Sequence, residues 1–333
     1  MALHTRRKLA LALPLLLVPA ALFAWYCQGR VAGGLGAGRE GGSLASRARE
    51  TPVGPIPDFD FAVVSDLHFG ASDEADTVER VRAIPLLAGA ALPTGGILGR
   101  PDFVLTCGDN TENGEVADAE AEYGAFKTAM DSIDLPYYYA NGNHDVDGDP
   151  AATRGLRREP YAHGKPYYTF EHKGLAFIVL NYYTDEGSDS PAAELDDGER
   201  EWFEAELLRI GVSRPIVLVI HPLPERWEWL DMPSWIAMTP GEADYLAETI
   251  EGFNVVAILC GHFHPQHVEA WHGIPVVDVG RWGERRRMCV VAGRVEDGTL
   301  SFISYTKEAL HAPRDEAPPL GKILVGRRPL VRE

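Results

Sequence analysis

Apolar residues along the chain gather in short runs separated by polar loops, and the runs alternate between two periods. Phe61-Ala62-Val63-Val64-Ser65, Phe103 to Cys107 and Tyr137-Tyr138-Tyr139-Ala140 read as short strands, the first two buried on both faces. Between them, the segment from Asp73 to Leu92 has helical composition until Pro93 and Gly95-Gly96 break it. Glu115 to Asp131 carries Val116, Tyr123, Phe126 and Met130 at helical spacing. Strand and helix in alternation predict an α/β protein.

Beyond residue 166 adjacent strands appear. Tyr167 to Glu171 and Leu175 to Asn181 flank Lys173-Gly174 and predict a hairpin. A helix is expected from about Gly198 to Ile210, capped by Asp196 and Asp197, before the strand Ile216 to Ile220. Thr239-Pro240-Gly241-Glu242 has the form of an N-cap, a first-turn proline and a capping glutamate, opening a helix that ends near Glu251. Val255 to Leu259, Pro275 to Val279, Met288 to Val291 and Leu300 to Tyr305 complete the strand candidates, enough for two sheets. No internal repeat is present.

The ends of the chain differ from this pattern. Arg6, Arg7 and Lys8 precede an apolar run from Leu9 to about Trp25, which reads as a signal peptide or signal anchor over residues 1–27. Thr5-Arg6-Arg7-Lys8-Leu9 also resembles a twin-arginine export signal, and the run approaches the roughly 17 to 25 residues that span a bilayer. The expected location is therefore extracytoplasmic, with membrane anchoring if the segment is retained. Residues 28–57, rich in Gly, Ala and Arg, read as a flexible linker; residues 58–310 form the expected catalytic domain, and residues 311–333 a loose tail.

Composition narrows the function. With 45% hydrophobic residues the chain has material for a sizeable core, and a formal charge of −18 disfavours general binding to nucleic acid or anionic membranes. Bound divalent ions can still create a local anion site in an acidic protein. The four cysteines match neither a zinc knuckle nor a disulfide framework, and Cys107 and Cys260 read as small core residues.

Candidate chemistry lies where strand-like runs give way to loops: Asp66-Leu67-His68, Gly108-Asp109-Asn110, Gly142-Asn143-His144-Asp145, His221 and Gly261-His262-Phe263-His264. Carboxylate, amide oxygen and imidazole together suit Mn, Fe or Zn better than Mg or Ca. Each cluster alone is weak evidence, since Asn, Gly and Asp are also turn formers. Their number and order resemble the calcineurin-like metallophosphoesterase superfamily, over nearly all of residues 58–305. The resemblance implies a four-layer α/β fold, two mixed β-sheets in a sandwich flanked by helices.

It further implies two divalent metal ions, with Asp66, His68 and His264 on one, Asn143, His221 and His262 on the other, and Asp109 bridging. Such a pair can share a water, lower its pKa toward neutrality and direct the resulting hydroxide at phosphorus. By the same resemblance His144 points at the substrate as a general acid, and Asp145 is a candidate to orient its ring or sustain its protonation. Related purple acid phosphatases carry a tyrosine iron ligand a few residues after the bridging aspartate; here Asn110, Thr111 and Glu112 follow Asp109, which disfavours a coloured ferric site.

The expected activity is hydrolysis of a small phosphorylated substrate, a phosphomonoester or phosphodiester. The alternative is a catalytically silent binding or scaffold protein on the same fold. Two loops bear on substrate choice. Arg154, Arg157, Arg158, His163 and Lys165 are either an extra anion grip or a solvated basic surface. Trp227, Trp229 and Trp235 either wall a pocket or pack over the sheet edge.

Overall fold

The computed structural model describes residues 42–50, 52–113, 116–146, 166–183, 193–226, 236–312 and 321–331. The proposed export segment, the basic loop from Arg154 to Lys165 and the Trp227, Trp229 and Trp235 loop lie outside the described residues.

Two six-stranded mixed sheets form the molecule's centre. The first contains β1 (Phe59–Val64), β2 (Val104–Cys107), β3 (Tyr137–Ala140), β10 (Cys289–Glu296), β11 (Thr299–Thr306) and β12 (Lys322–Pro329), in the order β12-β11-β10-β1-β2-β3. Strands β1, β2 and β3 run parallel, whereas β10, β11 and β12 pair antiparallel. The second contains β4 (Tyr168–His172), β5 (Leu175–Val179), β6 (Ile216–Val219), β7 (Val255–Cys260), β8 (His267–Trp271) and β9 (Ile274–Asp278), in the order β4-β5-β6-β7-β9-β8. Its centre, β5 to β7 and then β9, is parallel.

The apolar runs are continuous because these central strands are covered on both faces. Along β5, Leu175, Phe177 and Val179 enter one core, while Ala176 and Ile178 enter the other. Between the sheets, Phe61, Phe103 and Phe177 meet, with Phe61 and Phe103 stacked at 5.1 Å and Phe177 edge-on to both. Helices α1 (Glu74–Ala83) and α2 (Val116–Asp131) add Val81, Phe126 and Met130 to this core. Helices α3 (Asp197–Ile210) and α4 (Pro240–Ile250) bring Phe203, Leu207, Leu246 and Ile250 against the second sheet. Two of the caps read from sequence are present, Asp196 accepting the Glu199 N–H at 2.7 Å and Thr239 the Glu242 N–H at 3.3 Å, whereas Asp197 lies inside the helix and the Glu242 carboxylate turns to the Leu195 N–H and Arg200.

Several expectations need correction. The helix from Asp73 does not run to Leu92: it ends at Ala83 and tightens into a 3-10 turn, Ile84–Leu87, where Pro85 has no N–H to continue the α-helical ladder. The tail after residue 311 is not wholly loose, since β12 adds an edge strand to β11. Nor is the whole of residues 28–57 a spacer: Leu44–Arg47 forms a 3-10 turn whose Leu44 and Ala45 pack on the second core. Strands β8 and β12 escaped the sequence pattern because both are edge strands with half-exposed faces, where burial imposes no strict alternation.

Arg80 on α1 fastens the strand ends. It is 1% exposed and donates to the carbonyls of Ser65, Cys289 and Gly280 at 2.6, 2.6 and 2.8 Å. It therefore ties the loop after β1 to the loops around β9 and β10. Arg80→Met would leave these buried carbonyls without donors, so chemical denaturation should show a stability loss of about 3 kcal/mol or more. A change below about 1 kcal/mol would mean that the carbonyls find other partners.

Candidate metal centre

The loops that leave β1, β2, β3, β6 and β7 converge at one end of the two sheets. Backbone bonds continue the parallel pairing beyond β1 and β2: the Asp66 N–H donates to the Gly108 carbonyl at 3.0 Å, and the His68 N–H to the Asp109 carbonyl at 2.9 Å. The turns are sharp. Asp66, His68, Asp109, His262 and His264 have φ of 54°, 48°, 51°, 73° and 67°, in the left-handed region that non-glycine residues occupy at a cost of order 1–3 kcal/mol each. Strain at five clustered acidic and imidazole side chains is expected where a surrounding fold holds them for a purpose.

Two glycines permit the approach. A Cβ at Gly108, itself at φ +95°, would sit 2.4 Å from His221 Nδ1, and one at Gly142 would sit 2.1 Å from Asp109 Oδ1. Neither position accepts a side chain without displacing the donor beside it.

Asp109 is at the centre. Its Oδ2 lies 3.1 Å from His221 Nε2 and 3.7 Å from His68 Nε2, and its Oδ1 accepts the His144 N–H at 3.0 Å. On one side, His68 Nε2 and His264 Nε2 face each other at 3.2 Å, with Asp66 Oδ1 3.6 Å from the latter. Asp66, His68, Asp109 and His264 thus offer donor atoms all within 4.8 Å of one another, and Asp109, His221 and His262 do the same on the other side. Asp66 Oδ1 also accepts the His262 N–H at 3.0 Å, joining the first loop to the last.

These donors fit divalent cations. Asp66 Oδ2, Asp109 Oδ2, Asn143 Oδ1 and His221 Nε2 are buried and have no hydrogen-bond partner of acceptable geometry, despite the short approach of His221 to Asp109. Inward-facing lone pairs in a buried cluster require a cation or a proton between them. His221 Nδ1 lies 2.7 Å from the Cys107 carbonyl, which assigns the proton to Nδ1 and leaves Nε2 to face Asp109 as a donor. The Asn143 amide oxygen is likewise buried and unpartnered.

The protein's charges respond accordingly when only protons are available. Burial alone would lower the His221 pKa; the Asp109 charge 3.1 Å away overcomes this and helps push it up to about 9. Burial would raise the Asp109 carboxyl, but His221 first, then His68 and His144, hold it well below the usual range. Cys107 and Cys260 are buried thiols whose pKa burial raises, so they pack as the small core residues anticipated.

His144 sits beside the cluster, its ring edge-on to His68 at 4.8 Å and its Nδ1 2.6 Å from the Glu112 carbonyl. Asp145, considered above as support for the His144 ring, is held by backbone donors of the neighbouring loop. Its buried carboxylate accepts the backbone N–H groups of Asn110, Thr111 and Gly142 at 3.0, 3.0 and 2.8 Å, and the Thr111 hydroxyl at 3.0 Å. It ties the Asp109 loop to the Asn143 loop. Glu112, passed over as merely a missing tyrosine, is the residue at His68: its Oε2 lies 2.8 Å from His68 Nδ1. Its place three residues after Asp109 was visible in the sequence, but that its side chain turns back toward the first loop was not.

The His221 shift sets a pH test of the metal-free protein. A folded pKa raised to about 9 above an unfolded value near 6.5 gives stability that is complete below pH 6.5 and is lost as pH rises through about 9. The melting temperature of chelator-treated protein should therefore fall between pH 6.5 and 9.5, and saturating Mn(II) should abolish that fall by replacing the proton. A metal-free profile flat over this window would contradict the assignment.

Comparison with known proteins agrees with this geometry. Residues 59–266 match the calcineurin-like phosphoesterase family. A probable glycerophosphodiester phosphodiesterase GpdQ of Arcobacter nitrofigilis is 25% identical over 222 residues, 64% of this chain and 75% of that protein. A probable cyclic nucleotide phosphodiesterase of Rhodococcus erythropolis is 28% identical over 228 residues, 67% of this chain and 70% of that protein. In fold, a dimetal phosphatase from Danio rerio superposes with a TM-score of 0.57 at 10% identity, over 82% of this chain and 99% of that one. With its family match spanning most of the two sheets and the loops that converge on Asp109, the chain belongs to the calcineurin-like phosphoesterases.

Proposed function

We propose that this protein is an exported, dimetal phosphodiesterase acting on a small phosphorylated substrate. The observation that carries this reading is the set of buried, unpartnered donors arranged on both sides of Asp109. Asp66, His68 and His264 hold one divalent cation, Asn143, His221 and His262 the other, and Asp109 serves both. When bound, a pair of divalent ions supplies a nucleophile at neutral pH and neutralises charge on the phosphoryl oxygens. The preference for diesters rests on the relatives in Arcobacter nitrofigilis and Rhodococcus erythropolis, which carry diesterase names. Export rests on the Arg6-Arg7-Lys8 group and the apolar run after it.

The chain's own part is to fix donors and move one proton. Water oxygen bonds to phosphorus and releases a proton to solvent, the ester P–O bond breaks, and the departing oxygen takes a proton. We assign that donation to His144, whose Nδ1 lies 2.6 Å from the Glu112 carbonyl and whose ring is edge-on to His68. The His144 N–H donates to Asp109 Oδ1, so the same residue is registered to the bridging carboxylate.

Mn(II)-loaded protein should hydrolyse bis(p-nitrophenyl) phosphate faster than p-nitrophenyl phosphate. His144→Ala should lower kcat by roughly 100-fold or more while two ions stay bound. Asp109→Asn should lose activity together with metal. The reverse substrate preference would make the enzyme a phosphomonoesterase, and no turnover of any ester by metal-loaded protein would favour the catalytically silent scaffold.

A further inference from the structure

Glu112 occupies a position that neither the family match nor the relatives assign. It touches both His68 and His144 through different groups: its carboxylate Oε2 lies 2.8 Å from His68 Nδ1, and its backbone carbonyl lies 2.6 Å from His144 Nδ1. The carboxylate contact is short and charge-assisted, although its angle departs from the hydrogen-bond ideal. The His68 side chain is 3% exposed and the Glu112 side chain 35%, so the carboxylate reaches a buried ring from a partly solvated rim.

The loop that carries Glu112 is clamped. Its N–H donates to the Phe69 carbonyl at 2.9 Å, and Glu122 Oε2 on α2 accepts from the N–H groups of Glu112 and Asn113 at 3.1 and 2.8 Å. The peptide at 112 is thus fixed to both the loop after His68 and the helix behind it. A side chain on such a fixed peptide can set the rotation of an imidazole.

We infer that Glu112 is a positioning residue for the centre: its carboxylate holds the His68 ring so that Nε2 faces Asp109 and His264, while its main-chain carbonyl holds the His144 ring over the same space. This rests on the dimetal reading above. A carboxylate on the far nitrogen of a ligating histidine fixes the ring's orientation and raises its basicity. The two groups of Glu112 also separate experimentally, because substitution removes the carboxylate and leaves the carbonyl.

The test is Mn(II) titration of the full-length, metal-depleted protein, with bound ions counted by electron paramagnetic resonance and mass spectrometry. Wild-type protein should take up two ions. Glu112→Ala should weaken one of them by roughly 10–100-fold and leave the other unchanged. Glu112→Gln, which keeps the size of the side chain, should weaken the same ion by less. In an His68→Ala background, Glu112→Ala should leave the affinity for the remaining ion unchanged, because the effect passes through that ring.

Two wild-type affinities in both Glu112 variants would overturn the inference. So would equal weakening of both ions, or a further loss in the His68→Ala background, since either result marks a general structural effect. Wild-type protein that binds fewer than two ions would overturn the dimetal reading itself, a failure recognisable before any variant is made.

Discussion

A carboxylate that serves two clusters of lone pairs at once is the constraint around which this structure is arranged. Asp109 stands at the end of β2 with His68 on one side and His221 on the other, and each adjoining loop is bent to reach it. The cost is visible in the backbone: the three residues of the first and second loops and the two histidines after β7 that face the centre all adopt left-handed φ. The compensation is spread through fixed attachments rather than through the site. Asp145 binds two of the loops together, Asp66 reaches the His262 N–H, and Arg80 anchors the strand ends from below.

The attachments also explain the division of labour among the charged residues. Asp66 and Asp109 face one another's histidines with oxygen atoms left unpartnered, whereas Asp145 is saturated by backbone donors. A buried carboxylate that accepts several N–H groups serves architecture, and one with an unpartnered oxygen awaits a cation. Asp278 shares the burial of both. Burial, reinforced by the Asp66 charge, raises its pKa well above the usual range.

Much of this was legible in the chain because the fold is made of short, doubly covered strands. Runs such as Leu175 to Val179 and Ile216 to Val219 have one interpretation when bounded by turn residues, and the polar clusters follow them at the strand ends. Asp66, His68, Asp109 and His264, and Asp109, His221 and His262, lie close enough to share a centre. What the chain did not disclose was side-chain direction within loops. Asp145 follows His144 directly, yet its carboxylate turns toward Asn110 and Thr111; Glu112 is far from His68 in sequence, yet meets its ring. Two of the edge strands were also hidden, and β12, with Ile323 and Arg327 exposed, buries too little for its period to show.

Crystals of the protein grown with Mn(II) and examined by anomalous scattering address the centre itself. The account predicts two peaks flanking the Asp109 carboxylate, one beside His68 and His264 and one beside His221 and His262. A single peak, or two that do not share Asp109, would contradict it.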